Sequence, residues 1–140
     1  MPRVENREQL AALRDRIRDA AMERHADHTR VLIGMGTCGI AAGAREVMDA
    51  VRVELKRHSL EADVVAVGCI GICEMEPLVD IEGPGLSRVT YCNIRPDMAP
   101  RLIEEHMVHG RVMPEWAVGR LSPDGITPPD APEAREEAAP

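Results

Sequence analysis

The chain has 140 residues, of which 44% are hydrophobic and 29% are charged, a composition that is ordinary for one folded domain. Its net charge is −7, and it contains one Trp, one Tyr and no Phe. We expect no nucleic-acid partner, since the chain offers neither an excess of basic residues nor aromatic side chains on which bases could stack.

The N-terminal residues 1–6 lack the apolar segment of a signal peptide, and no apolar run is long enough to span a bilayer. We therefore expect a cytoplasmic protein without membrane insertion. Four cysteines in a reducing compartment favour ligation or redox chemistry over a framework of disulfides.

A helix is predicted over residues 6–24, within an N-terminal helical extension that covers residues 1–28. Asn6 can cap this helix, and Gln9 follows three residues later as in a capping box. The narrow apolar stripe favours a helix that lies on its own domain, and docking to a partner subunit is the other interpretation. The stripe consists of Leu10, Leu13 and Ile17.

The next elements predict one βαβ unit. A strand over Val31–Ile33 is followed by residues 34–39, here called the glycine turn, and then by a helix from about Ile40 to His58. A second strand covers Val64–Val67. Two strands joined by a helix lie parallel with a right-handed crossover.

Strands at Leu78–Glu82 and Arg88–Asn93 are predicted to form a hairpin, because Gly and Pro lie between them. A last helix is expected between Pro96 and His109, and Pro100 delays its start to Ala99.

The folded domain is therefore predicted to span residues 29–121. Trp116 is interpreted as a lid on the core, with a partner anchor as the alternative. Residues 122–140 contain five acidic residues and one basic residue and are predicted to be a disordered acidic tail.

Two cysteines lie four positions apart in residues 68–77, here called the thiol loop. Cys69 and Cys73 alternate there with Gly68 and Gly71, which provide none of the bulk that a core cysteine packs against. The pattern favours a metal ion or an iron–sulfur cluster.

The glycine turn also matches the dinucleotide-binding fingerprint, with glycines at 34, 36 and 39. That motif needs an acidic residue near the end of the second strand, and this strand ends in Val67-Gly68-Cys69. The alternative to nucleotide binding is that Cys38 is a ligand of a metal or cluster and that the glycines let the backbone approach its sulfur closely.

These two motifs resemble those of the thioredoxin-like [2Fe-2S] ferredoxins, especially the small subunit of NADP-reducing iron-only hydrogenases and of NADH-dehydrogenase-type complexes. The first motif is Gly34-Met-Gly-Thr-Cys-Gly-Ile-Ala-Ala-Gly-Ala-Arg45, and the second is Gly68-Cys-Ile-Gly-Ile-Cys-Glu-x-Glu-Pro-Leu-Val79. The resemblance extends from about Val31 to Val118.

The resemblance implies an α/β thioredoxin-like fold, a [2Fe-2S] cluster and electron transport as a subunit of a flavin- and iron–sulfur-containing oxidoreductase complex, without substrate chemistry of its own. A homo-oligomer of this chain is also compatible with the sequence. The implied ligands of the cluster are Cys38, Cys69 and Cys73. Such ferredoxins place a pair of cysteines at the first strand–helix turn, and here Gly34 stands where the earlier one is expected.

Hairpin geometry suggests Cys92 as the fourth ligand, because the end of its strand lies beside the start of the preceding strand near Pro77. The register in which the two hairpin strands pair decides whether the Cys92 thiol points towards the thiol loop. The alternative functions are a thiol-disulfide redox protein that uses Cys69 and Cys73, a structural zinc domain and a nucleotide-binding module.

Overall fold

The computed structural model describes residues 4–26, 28–84, 86–122 and 125–128. Its strands form one six-stranded sheet in the order β2-β1-β3-β4-β5-β6, in which β1 and β2 run parallel and every other neighbouring pair is antiparallel. The strands are β1 (Arg30–Gly34), β2 (Asp63–Val67), β3 (Val79–Gly83), β4 (Leu86–Tyr91), β5 (Ala117–Ser122) and β6 (Gly125–Thr127).

The predicted N-terminal helix is present as α1 (Arg7–Ala26). The Asn6 side-chain oxygen accepts a hydrogen bond from the Gln9 N–H at 2.8 Å, so the predicted cap is confirmed. Leu10 and Ile17 are 56% and 55% exposed. The prediction that this stripe lies on its own domain is therefore wrong for these two side chains.

The helix predicted from Ile40 to His58 is interrupted. It is found as α2 (Thr37–Ala42) and α3 (Ala44–Arg57), with Gly43 between them at φ +102°. The Gly43 N–H donates hydrogen bonds to carbonyl oxygens of α2 and so caps the end of this helix. Its left-handed backbone conformation is one that only glycine adopts without steric cost. The parallel pairing of β1 with β2 confirms the βαβ unit.

The core lies between α3 and one face of the sheet. The apolar stripe of α3 forms part of this core, together with alternate residues of β1, β3 and β4. The stripe consists of Ala44, Val47, Met48, Val51 and Leu55. The buried strand residues are Val31, Ile33, Val79, Ile81, Val89 and Tyr91.

The hairpin of β3 and β4 is confirmed, but its second strand begins and ends two residues earlier than predicted. Val79 pairs with Tyr91, the last residue of β4, so Cys92 and Asn93 lie beyond the strand. The Asn93 N–H instead donates to the Met75 carbonyl at 2.8 Å, which ties this segment to the thiol loop.

The last helix begins with a 3₁₀ turn at Pro96–Met98, becomes α-helical as α4 (Ala99–Leu102) and ends in a π-helical turn at Ile103–Val108. The expected start of the α-helix at Ala99 is confirmed. No described helix is long and apolar enough to cross a membrane.

Strands β5 and β6 were not predicted. Ser122 is the last residue of β5, and Gly125–Thr127 pair with β5, so the predicted tail begins too early. The predicted disorder of residues 129–140 lies outside the described residues.

Trp116 is half-buried against the core and has the Arg101 guanidinium 4.9 Å from its ring centroid, which supports its interpretation as a lid.

Tyr91 at the end of β4 and His106 in the last helix form a buried polar pair. Both are fully buried, and the Tyr91 hydroxyl lies 2.8 Å from His106 Nδ1. Burial raises the pKa of Tyr91 to about 12. The neutral phenol is therefore the form that the folded protein favours.

We expect Tyr91→Phe to lower the free energy of unfolding at pH 8 by about 1–3 kcal/mol, because it removes a hydrogen bond from a buried imidazole. In the unmodified chain, stability is full below about pH 10 and falls as the pH rises towards about 12, since the unfolded tyrosine ionises first. Urea unfolding at several alkaline pH values measures both effects. Equal pH slopes in the two proteins would contradict this account.

Candidate metal centre

Cys69 and Cys73 meet in the thiol loop between β2 and β3. Their Sγ atoms are 3.4 Å apart, and both residues are exposed. The Gly71 N–H donates to Cys69 Sγ at 3.2 Å, in a bend that needs φ +92° at Gly71. Two sulfurs bound at about 2.3 Å to one tetrahedral metal ion lie about 3.8 Å apart, so this pair can chelate one ion with a small adjustment.

The glycine turn packs directly on this pair. A Cβ atom at Gly36 would lie 3.1 Å from the Cβ of Cys69 and 3.3 Å from its backbone nitrogen. Cys38 follows two residues later, exposed in the first turn of α2. The absence of a side chain at Gly36 therefore brings the segment that carries Cys38 against the thiol loop.

A third group at this junction is Glu76, whose place at the site its sequence motif does not predict. It is 7% exposed, and its Oε2 accepts a hydrogen bond from the Leu78 N–H at 2.9 Å. A Cβ at Gly34 would lie 2.8 Å from Oε2 and 3.0 Å from Oε1 of this carboxylate. A Cβ at Gly39 would lie 3.2 Å from Oε2. One sequence signal could have indicated burial: Glu76 directly precedes the apolar segment Pro77–Val79.

Cys92 is half-buried just after β4, and its N–H donates to the Trp116 carbonyl at 2.9 Å. Since β3 is antiparallel to both β1 and β4, the ends of β1 and β4 lie at the same edge of the sheet. Cys38 and Cys92 thus follow strands that end on the side of the thiol loop. Within the described ranges, no three His, Cys, Asp or Glu residues form a preformed site for a single metal ion.

This geometry argues against two of the alternatives. The Glu76 carboxylate lies against the glycine turn, where it would repel the phosphates of a nucleotide. Cys73 begins a single 3₁₀ turn, Cys73–Met75, whereas the reactive cysteines of C-x-x-C redox proteins lie at helix N-termini.

Solved structures share this architecture. A thioredoxin-like [2Fe-2S] ferredoxin from Aquifex aeolicus aligns with a TM-score of 0.60 at 19% identity, covering 73% of this chain and 100% of that chain. The chain has a thioredoxin-like fold. A second structure of a ferredoxin of this type, the wild type from the same organism, aligns with a TM-score of 0.57 at 19% identity, covering 67% of this chain and 99% of that chain.

In sequence, the thioredoxin-like chain is similar to the NADP-reducing hydrogenase subunit HndB of Solidesulfovibrio fructosivorans. The two are 29% identical over 111 residues, which cover 79% of this chain and 87% of that protein. No protein-family model matches the chain. The resemblance that the two motifs indicated is confirmed by these likenesses.

We expect Gly36→Ala to lower the free energy of unfolding by about 1–3 kcal/mol, because the added methyl group presses on Cys69. Backbone strain does not contribute, since Gly36 has φ −66° and ψ 174°. Gly68→Ala is the matched control, with no atom within 4 Å of the new Cβ, and should change the stability by less than about 0.5 kcal/mol. Denaturant unfolding of the reduced, metal-free proteins measures the difference, and equal stabilities would contradict the contact.

Proposed function

We propose that this protein is an electron-transfer subunit that carries one [2Fe-2S] cluster. The observation that carries the proposal is the exposed Cys69–Cys73 pair, with a backbone N–H donated to one of its sulfurs. Hydrogen bonds to sulfur and solvent exposure are the features by which a protein adjusts the potential of such a cluster. The thioredoxin-like fold and the likeness to a hydrogenase subunit support the same function.

The residues present fit the cluster, since thiolates are its usual ligands and the pair has a spacing suited to one tetrahedral iron. Cys69 and Cys73 would bind one iron. Cys38, on the turn that packs against Cys69, would bind the other. Cys92 is the fourth thiol, and its ligand role stays a prediction. When bound, the cluster would accept and release single electrons, while the chain holds it and leaves it accessible.

Partner subunits would deliver and remove these electrons. We place the protein in a cytoplasmic, nicotinamide-linked complex of the hydrogenase or NADH-dehydrogenase type, which the likeness to HndB supports. Two exposed apolar groups suit such contacts: Leu10 and Ile17 of the α1 stripe, and Ile70 beside Cys69.

The spacing of the thiol pair would also suit zinc, which takes the same tetrahedral thiolate coordination. Protein produced anaerobically with sufficient iron should be red-brown and, once reduced, should give the electron paramagnetic resonance signal of a [2Fe-2S] cluster. Cys38→Ser, Cys69→Ser and Cys73→Ser should each abolish or alter that signal. A colourless protein that holds zinc would overturn the proposal.

The partner contact of α1 can be tested separately from the cluster. We expect the tagged chain to co-purify with flavin- or iron–sulfur-containing subunits, and Leu10→Ser/Ile17→Ser to lose them while it keeps its absorption spectrum. Val53→Ser is the matched control, because Val53 is equally exposed and apolar but lies on α3. Retention of the partners by the α1 variant would show that α1 is not the contact. Self-association of the chain without other subunits would favour a homo-oligomer.

A further inference from the structure

Glu76 lies where the two cysteine-bearing segments meet. It follows Cys73 by three residues, and its carboxylate oxygens lie over the glycine turn, against Gly34 and Gly39. Gly39 is the chain neighbour of Cys38, and Gly36 of the same turn touches Cys69. The carboxylate is therefore held where the glycine turn meets the thiol loop, the two segments that carry the three proposed thiol ligands.

The charge of this carboxylate lacks a basic partner in the described part of the chain. Glu76 accepts the Leu78 N–H but takes part in none of the described ion pairs. Glu54, which is equally buried, has Arg57 and His58 beside it. Because burial of an unpaired carboxylate is unfavourable, coordination of its oxygen to an iron would supply the partner that the described residues do not.

The position of the carboxylate also explains why residue 34 carries no side chain. The resemblance to thioredoxin-like ferredoxins places an additional cysteine ligand at Gly34, and a Cβ atom there would lie 2.8 Å from Glu76 Oε2. The carboxylate thus takes up the space into which that ligand would project. The missing side chain at Gly34 thus leaves the space that the Glu76 carboxylate occupies.

Cys92 also lies near the thiol loop, since the Asn93 N–H donates to the Met75 carbonyl at 2.8 Å, but it is farther than Glu76 from the glycine turn. In the sheet, β4 is separated from β1 by β3, so the ends of β1 and β4 lie about 10 Å apart at the usual strand spacing of about 4.8 Å. The carboxylate, in contrast, touches the turn after β1 directly.

We propose that the Glu76 carboxylate is the fourth ligand of the cluster, an oxygen donor that acts beside the sulfurs of Cys38, Cys69 and Cys73. The inference rests on the proposed function, because it requires a cluster at this junction. Carboxylates do bind iron in proteins, and a harder oxygen ligand changes the electronic environment of the iron that it binds.

The test uses the full chain, loaded anaerobically with ⁵⁷Fe and sulfide, and reads iron content and Mössbauer spectra. We expect the unmodified protein to show one iron site with an oxygen ligand and one with sulfur ligands only. Glu76→Ala should lose at least about tenfold in iron affinity or lose the oxygen-ligated site. Glu74→Ala is the matched control, since Glu74 is an exposed carboxylate of the same loop, and it should match the unmodified protein.

A double variant separates a ligand role from a structural one. Gly34→Cys/Glu76→Ala removes the carboxylate and places a thiol in the vacated space, and it should restore the cluster with two sulfur-ligated irons. An intact spectrum in Glu76→Ala would overturn the inference, as would failure of the double variant to restore the cluster. Loss of the cluster in Cys92→Ser would also overturn it. If the unmodified chain binds no cluster, the proposed function itself fails.

Discussion

The contact between the glycine turn and the thiol loop determines how the rest of the site is arranged. Gly36 leaves space for Cys69, Gly34 leaves space for the Glu76 carboxylate, and a side chain at Gly39 would collide with the Gly34 carbonyl. The relative position of the cysteines therefore follows from backbone packing at the ends of β1 and β2. Protein interiors relax only partly around an added atom, so this junction has little freedom to rearrange.

Much of the fold could be predicted because its signals are local. β1 and β2 are short apolar runs, and the α3 stripe recurs at helical spacing. The break at Gly43 was missed because a glycine within a helical pattern is compatible with either continuation or a cap. β5 was missed because Ala117–Ser122 includes a glycine and a central arginine, and its strand conformation depends on pairing with β4.

For the site, the sequence identified the thiols but not the carboxylate. Cysteine spacing on a glycine-rich loop is a chemical signal that can be read without coordinates. The burial of Glu76 is a tertiary property, since it depends on a turn about 40 residues away in the chain. The direction of Cys92 was likewise not readable, because it depends on where β4 ends, and that strand stops one residue before the thiol.

The exposure of the thiols has a further consequence for handling the protein. Cys38, Cys69 and Cys73 are all exposed, and Ile70 beside them is 62% exposed. An edge of the molecule that a redox partner can approach closely is equally open to dioxygen and to chelators. A cluster held there would degrade rapidly in air in the isolated chain, and its lifetime would increase when a partner subunit covers this edge. Accessibility for electrons and sensitivity to oxygen would then have the same structural origin.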